Sequence, residues 1–411
     1  MPALTHRVLV AVVAVVTVAA LTGMVALWPD GPAAPADDAV AAQSEELVDA
    51  TLLEVARVAC EDRTGLLPDA VCVQMTARVD ATGRVVHIEM TDDTGDTFSP
   101  GQRVRVAVVR TRGRPAHYVA DFQRSTPLLV LSGLFVAAVV AFGRRRGLRA
   151  LAGLALTFVV ILGFVVPAIL DGRNPMSVAV VGALVITVAT LYLSHGFTPK
   201  TTAAVTGTAL ALLVTAGLAA FFAGAASLTG FTSEEAQLAN VELGGLSLRG
   251  LLLAGIVLGG LGVLDDVTMS QASIVFELRR ADPAAALPRL VRRALNVGRD
   301  HVAATVNTLF LAYAGAALPL PILFVVGDAP LGEILTSEVV AVEIVRTLVG
   351  SVGLIAAVPL TTALAAVVAG AEPRPASARG DVDAGASTPS AGDGEAWVEQ
   401  LRRAYRLDPD D

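Results

Sequence analysis

The length of the apolar blocks constrains this chain more than any other feature. About eight blocks of roughly 20 mostly apolar residues are long enough to cross the ~30 Å hydrocarbon core of a bilayer. Because backbone polar groups must be paired inside lipid, each block is predicted to be a transmembrane helix. The blocks lie at Val8–Leu27, Pro127–Phe142, Leu148–Leu170, Met176–Ser194, Thr202–Ala223, Leu246–Val267, Val302–Val326 and Ile344–Ala369.

The composition argues against a soluble protein and against a nucleic-acid-binding one. Apolar residues make up 54% of the chain and charged residues 17%, whereas soluble domains are about 25% charged. The net charge is −8, and no basic, aromatic surface is present on which a nucleic acid would bind. The expected partner is therefore the lipid bilayer, and an envelope protein or a second copy of the chain stays open as a further partner.

Basic residues are concentrated in the short loops on one side of the predicted membrane. The opposite short loops carry Arg173 and Arg249, with Arg346 just inside the last helix. The positive-inside rule therefore places both termini in the cytoplasm, and the protein in a bacterial inner membrane. The residues on the basic side are Arg144, Arg145, Arg146, Arg149, Lys200, Arg279, Arg280, Arg289, Arg292, Arg293 and Arg299.

The chain divides into four predicted regions. Residues 1–32 form an N-terminal transmembrane anchor, 33–126 a β-rich extracytoplasmic domain, 127–370 a membrane domain of seven helices, and 371–411 a cytoplasmic tail. The tail is rich in Ala, Pro, Ser, Gly and Asp and is expected to be disordered, with room for a short amphipathic helix at its end. A cleaved signal peptide is the alternative for the first region, but its apolar run is longer than a typical h-region.

Short runs with β-type composition follow one another in the extracytoplasmic region. Arg103-Val104-Arg105-Val106 alternates with period two, and Asp80–Gly83 and Thr91–Gly95 supply turn residues. The pattern predicts a small barrel or sandwich, with an OB-like fold as one form of it. The predicted strands are Thr51–Ala59, Val71–Val79, Arg84–Met90, Arg103–Arg110 and His117–Ala120.

Both cysteines of the chain, Cys60 and Cys72, fall in this region. The extracytoplasmic side permits disulfides, and a bridge that closes a loop of this size would contribute roughly 3 kcal/mol. We therefore predict a disulfide between them, with two buried free thiols as the alternative. No histidine keeps ligand spacing with the cysteines, so no metal site is predicted.

The sixth predicted helix carries a stripe of small and polar residues at steps of three or four, which places them on one helical face. Its first half includes a G-x-x-x-G and is predicted to let a neighbouring helix approach closely. Asp265 lies about 100° around the helix from Asp266. If these carboxylates lie deep in the membrane, the insertion free energy of each is unfavourable by roughly 2.5–3.5 kcal/mol. The alternative is that they lie at the membrane interface, at the end of a helix. The stripe comprises Gly255, Gly259, Gly262, Asp266, Ser270, Ser273 and Glu277.

The seventh predicted helix also carries a polar face. Asn296, Asp300 and Asn307 are spaced for one side of it. Together with the polar half of the sixth helix, they would line a path through the membrane. The arginines between the two helices, from Arg279 to Arg293, are interpreted as topological residues that hold this hairpin inside.

These segments resemble the YibE/YibF-like family of bacterial multi-pass membrane proteins. The resemblance covers roughly Arg103 to Gly370 and implies the architecture rather than an activity. The runs that carry it are Gly-Val-Leu-Asp-Asp-Val-Thr-Met-Ser-Gln-Ala-Ser at 262–273, Glu277-Leu278, Asn296-Val297-Gly298-Arg299-Asp300, Thr305-Val306-Asn307-Thr308-Leu309, His195-Gly196 with Thr198 and Lys200-Thr201, and Val358-Pro359-Leu360-Thr361.

Two functional hypotheses follow from the sequence. The first is a transporter or permease of unknown substrate, with Asp265, Asp266, Ser270, Ser273, Glu277, Asn296, Asp300 and Asn307 along its path. The second is a membrane scaffold or accessory subunit whose extracytoplasmic domain binds an envelope partner. An intramembrane enzyme is not predicted, because the chain has no H-E-x-x-H, G-x-S-x-G or His/Cys metal cluster. No catalytic residue or cofactor is predicted either.

Overall fold

The computed structural model describes residues 2–31, 46–59, 71–91, 98–111, 114–232, 237–238, 245–319, 322 and 330–371. Cys60, the linker after the first helix and the predicted tail from residue 372 onward lie outside these ranges. The described chain is mostly helical, with one antiparallel β-sheet between its first two long helices.

All five predicted strands form, and they pair into a single sheet. The order is β3-β2-β1-β4-β5, with every neighbouring pair antiparallel. The strands are β1 Glu46–Ala59, β2 Val71–Val79, β3 Val85–Thr91, β4 Arg103–Thr111 and β5 Arg114–Phe122.

The period-two pattern of β4 decides which face of the sheet forms the core. Val104 and Val106 are fully buried, while Arg103 and Arg105 project to the other face. Arg103 lies 3.7 Å from Asp80 in the turn after β2, and Arg105 lies 3.6 Å from Asp49 on β1. The backbone N–H of Val119 on β5 donates to Sδ of Met90 on β3 over 3.3 Å, which shows that the two outer strands of the sheet approach each other. The sheet is therefore curled rather than flat.

Cys72 lies on β2, where it is buried and disulfide-bonded. The only other cysteine of the 411-residue sequence is Cys60, which lies outside the described residues. The pairing of Cys60 with Cys72 therefore stays a prediction.

Thiol labelling of the unreduced protein in denaturant is expected to fail at both cysteines. Denaturant is needed because Cys72 is only 8% exposed when folded, so burial alone would protect a free thiol. The same sample should label fully after a reductant is added. Full labelling before reduction would leave only the free-thiol alternative.

Six helices among the described residues are long and apolar enough to cross a membrane. They are α1 Pro2–Ala26, α2 Ser125–Leu170, α3 Pro175–His195, α4 Pro199–Ala225, α5 Leu248–Ala281 and α8 Glu338–Ala371. Two further helices, α6 Leu287–Ala316 and the short α7 Leu331–Thr336, are not among these six. Much of their apolar surface faces outward, as at Leu129 and Phe142, which are 72% and 96% exposed. Such a surface is expected where lipid, not water, is the solvent.

The second helix combines two of the predicted spans. It contains 46 residues, which correspond to about 69 Å of helix and more than twice the hydrocarbon thickness. Arg144 interrupts it with φ 50° and ψ −125°. A Cβ at Gly147 would touch the carbonyl of Val139 and lie 3.3 Å from its Cγ1, although residues this far apart in a straight helix are separated by about 12 Å. The predicted spans Pro127–Phe142 and Leu148–Leu170 thus lie on either side of a sharp bend.

The seventh predicted span, Val302–Val326, is described only in its first part. The helix α6 covers it to Ala316, whereas residues 320–321 and 323–329 lie outside the described ranges. In its first half α6 is amphipathic: Leu290 and Ala294 are buried in the bundle and the arginines face outward.

Three helices, α4, α5 and α8, pack against one another at the centre of the bundle. Two glycines allow the closest approach of α4 to α8. Gly207 on α4 lies against Thr361 on α8, and Gly353 on α8 lies against Thr215 on α4. The two helices are therefore in contact at two reciprocal glycine–threonine pairs.

The first helix is an integral part of this packing. Leu9, Val13 and Ala20 are buried. Just past the end of α1, Asp30 accepts a hydrogen bond from Arg173 of the α2–α3 loop at 2.8 Å. A bundle without α1 would expose the apolar surface that these side chains cover.

Candidate functional site

A cavity of about 980 Å³ lies between α2, α3 and α5. Its lining includes ionisable side chains from four helices, and two of these side chains are carboxylates of the predicted path. The ionisable residues on its walls are Arg146, Arg149, His195, Lys200, Asp265 and Asp266.

The hydrogen bond of Asp265 shows how deep in the bundle it lies. The hydroxyl of Thr187 on α3 donates to Oδ1 of Asp265 over 3.4 Å. Thr187 precedes the end of α3 at His195 by about two turns, or ~12 Å along the helix. Asp265 therefore lies inside the bundle and not at a helix end, which argues against the interfacial alternative.

Buried threonine hydroxyls surround the inner side of Asp265. Thr187, Thr208 and Thr268 have no exposed surface. The hydroxyls of Thr208 and Thr268 are 2.6 Å apart, and that of Thr268 also lies 3.1 Å from the backbone oxygen of Asp265. Hydroxyls can donate to a carboxylate or to each other. They therefore replace water on the protein side of Asp265, and its other side opens to the cavity.

The cations and carboxylates of the cavity are not paired with one another. Within the described part of the chain, no acidic oxygen lies within 4 Å of the charged nitrogens of Arg146, Arg149 or Lys200. His195 is close enough to Lys200 and Asp266 for electrostatic interaction. The cavity thus presents unpaired charge of both signs.

The predicted residues of the sixth span separate into two groups along α5. Asp265, Asp266 and Ser270 line the cavity. Ser273 donates its hydroxyl to the carbonyl of Met269 at 2.8 Å, and Glu277 pairs with Arg280 at 2.8 Å. The second group lies beyond the cavity, toward the basic end of the helix.

The predicted residues of the seventh span do not line this cavity. Asn296 accepts a hydrogen bond from Arg299 at 3.1 Å, and Asp300 and Asn307 are exposed on α6. Where α5, α6 and α8 meet, the buried amide of Gln271 donates to the carbonyl of Ala294 and the hydroxyl of Thr362. That junction is closely packed, so the structure separates the α6 residues from Asp265 instead of joining them in one path.

Two of the three glycines in the predicted packing stripe of α5 meet no neighbouring helix in the described part of the chain. A Cβ added at Gly255 or Gly262 would meet no heavy atom within 4 Å, and one at Gly259 would meet only the hydroxyl of Tyr313 at 3.2 Å. The close helix approaches among the described residues occur at other glycines, including Gly207 and Gly353. The G-x-x-x-G spacing did not identify the interface because several helices of this chain carry small residues at similar steps.

Sequence reasoning did not select the threonines around Asp265 or the cations at the cavity mouth. Thr187, Thr208 and Thr268 lie in helices that also carry other serines or threonines, where such a hydroxyl usually bonds the carbonyl four residues back. In the sequence, the arginines after the α2 bend indicate only the membrane topology. A comparison of the basic residues at the predicted helix ends with the acidic residues of the sixth span would have suggested Arg146 and Arg149. No sequence pattern marks the threonines.

The family model described as YibE/F-like protein matches residues 131–371. This range runs from within α2 to the end of α8 and includes the whole cavity. No curated protein and no solved structure matches the chain.

Proposed function

Since this chain belongs to the YibE/F-like protein family, we propose that it is a multi-pass membrane transporter whose substrate binds in the cavity between α2, α3 and α5. The observation that carries this proposal is the Asp265 carboxylate, held by buried threonines at the cavity wall about 12 Å from the basic end of α3. A carboxylate at such a depth costs roughly 2.5–3.5 kcal/mol to insert and usually marks a substrate or ion pathway.

The charges of the cavity favour a substrate that carries both an anionic and a cationic group. An anionic group would be attracted by Arg146, Arg149 and Lys200 at the mouth, and a cationic group by Asp265 and Asp266. A purely anionic solute would meet the two carboxylates, and a purely cationic one would first meet three cations. The volume is at the upper end of the range for small-molecule sites.

The orientation and the number of crossings belong to the same proposal. The bend in α2 separates two crossings of the membrane, and α6 enters the bilayer as a further crossing. The chain therefore crosses the membrane eight times, and both termini are cytoplasmic. The cavity mouth lies on the basic side, so in this topology it opens to the cytoplasm of the inner membrane. The packing of α1 against the bundle supports its retention as an anchor.

A pair of cysteine variants at neighbouring positions tests whether the cavity holds water. Ile161 lines the cavity, and Leu162, which follows it in α2, is 65% exposed on the outer surface. In a background without Cys60 and Cys72, a membrane-impermeant thiol reagent added from the basic side should modify Ile161→Cys. It should leave Leu162→Cys unmodified, because lipid covers that position. Equal protection at both positions would contradict a hydrated path.

A second candidate function rests on the topology of the sheet. We propose that the order β3-β2-β1-β4-β5, together with the approach of β5 to β3, closes an OB-like barrel. Barrels of this kind present an outer strand face and loops to a ligand, which suits a scaffold or accessory subunit that binds an envelope partner. A purified complex that depends on this domain, combined with protection of Ile161→Cys, would favour this function over transport.

A further inference from the structure

The first half of α6 presents an arginine-rich face outward from the bundle. Arg289, Arg292, Arg293 and Arg299 fall within about a third of the helix circumference, and all four are exposed. The opposite side packs inward through Leu290, Ala294 and Gly298. The arginines therefore cannot turn into the protein, and what they meet depends on the depth at which the helix lies.

Contacts with α8 set that depth. A Cβ added at Gly298 would lie 2.7 Å from Cγ1 of Val358, and one at Gly370 would lie 3.9 Å from Cδ1 of Leu287. The first half of α6 thus runs alongside the last, apolar turns of α8. Leu290 also shares an apolar cluster with Leu191, which lies about one turn before the end of α3. Arg289, Arg292 and Arg293 are therefore level with the end of the apolar part of the bundle, where hydrocarbon gives way to headgroups. Arg299, next to Gly298, lies about two turns deeper than Arg292.

Most of these guanidinium groups have no acidic partner among the described residues. Arg293 pairs with Asp282 at 3.3 Å, and Arg299 bonds only the amide oxygen of Asn296. Arg289 and Arg292 have neither contact within the described ranges. Exposed arginines at this depth either extend to water or bind anions at the membrane surface.

We propose that the arginine-rich face of α6 binds the headgroups of anionic phospholipids in the leaflet on the basic side. The phosphate oxygens of a lipid lie at the depth that the α8 contacts give these arginines, and a guanidinium binds phosphate in a bidentate manner. The net charge of the face favours anionic over zwitterionic lipids. This site is separate from the cavity and does not depend on transport.

Native mass spectrometry of the full-length protein, released from nanodiscs of mixed phosphatidylglycerol and phosphatidylcholine, tests this proposal. The wild-type protein should retain phosphatidylglycerol selectively. The double variant Arg289→Gln/Arg292→Gln should lower that selectivity by at least about tenfold, since each basic residue near an anionic surface contributes a factor of roughly five. The double variant Arg249→Gln/Arg280→Gln removes the same charge away from this face and should keep the selectivity.

The other outcomes each contradict the proposal. Equal retention by the wild-type protein and Arg289→Gln/Arg292→Gln would show that the face binds no lipid, as would be expected if another segment of the chain or a protein covered it. Displacement of the lipid by millimolar inorganic phosphate would show a site for free phosphate. Equal losses in both double variants would show a general effect of net charge. A melting temperature measured for each variant in detergent verifies that all are folded.

Discussion

Replacing Asp265 with asparagine is expected to abolish the cellular phenotype that the gene supports, while leaving the amount of folded protein nearly unchanged. Asparagine keeps the shape of the side chain and an oxygen that can accept from the hydroxyl of Thr187. It loses the charge that faces the cavity. A hydrogen bond to a charged group contributes about 1.5–3 kcal/mol, so affinity for a cationic group of the substrate should fall roughly 10- to 100-fold.

The measurement is complementation of a deletion strain, with membrane protein levels and detergent melting temperatures recorded for each variant. Asp300→Asn is the matched control, because Asp300 has the same chemistry but lies on the exposed side of α6, outside the cavity. It should complement fully. Asp266→Asn changes the second carboxylate of the cavity wall and should fall between the two.

Three results would contradict this assignment. A stable and fully active Asp265→Asn protein would remove the carboxylate from the site. Loss of the folded protein would show that the charge is needed for packing among the threonines, which is a structural role. Equal loss of complementation in Asp265→Asn and Asp300→Asn would favour the path between the sixth and seventh spans that the sequence predicts.

The elements of the fold were predictable because their signals are local. Five strands are visible as short alternating runs, and the long apolar blocks mark the spanning helices. The bend in α2 was predictable from the basic residues 144–149, which interrupt an apolar run that would otherwise be one long helix. How these helices pack was not predictable, since in lipid nearly every face is apolar and hydropathy does not separate the buried face from the exposed one.

The candidate site shows the same division. Their residue types in an apolar helix predict Asp265, Asp266 and Ser270 as site residues, and the structure places them together at the cavity. The same argument predicts Asn296, Asp300 and Asn307, but they lie elsewhere because Gln271 and Gly298 close the junction between α5 and α6. Residue type thus indicates which side chains are unusual, whereas helix rotation decides which of them meet.

The other large effect is expected at the contact between α4 and α8. A Cβ added at Gly353 would touch Oγ1 of Thr215 and lie 3.2 Å from its Cβ, and one at Gly207 would touch Oγ1 of Thr361 and lie 3.3 Å from its Cα. Gly353→Ala and Gly207→Ala should each destabilise the protein by roughly 1–3 kcal/mol, the usual cost of overpacking a core. Alanine would otherwise favour the helix by about 1 kcal/mol over glycine.

Thermal unfolding in one detergent measures both variants against Gly255→Ala, which places the new methyl group where no heavy atom lies within 4 Å. That control should be neutral or slightly more stable. Since the obstruction at Gly353 comes mainly from a hydroxyl, Gly353→Ala/Thr215→Ala should regain much of the loss, and the double-mutant cycle gives the coupling directly. Additive effects of Gly353→Ala and Thr215→Ala would mean that the two helices do not meet at these residues. Destabilisation by Gly255→Ala instead would place the close helix contact on the α5 stripe, where the G-x-x-x-G spacing predicts it.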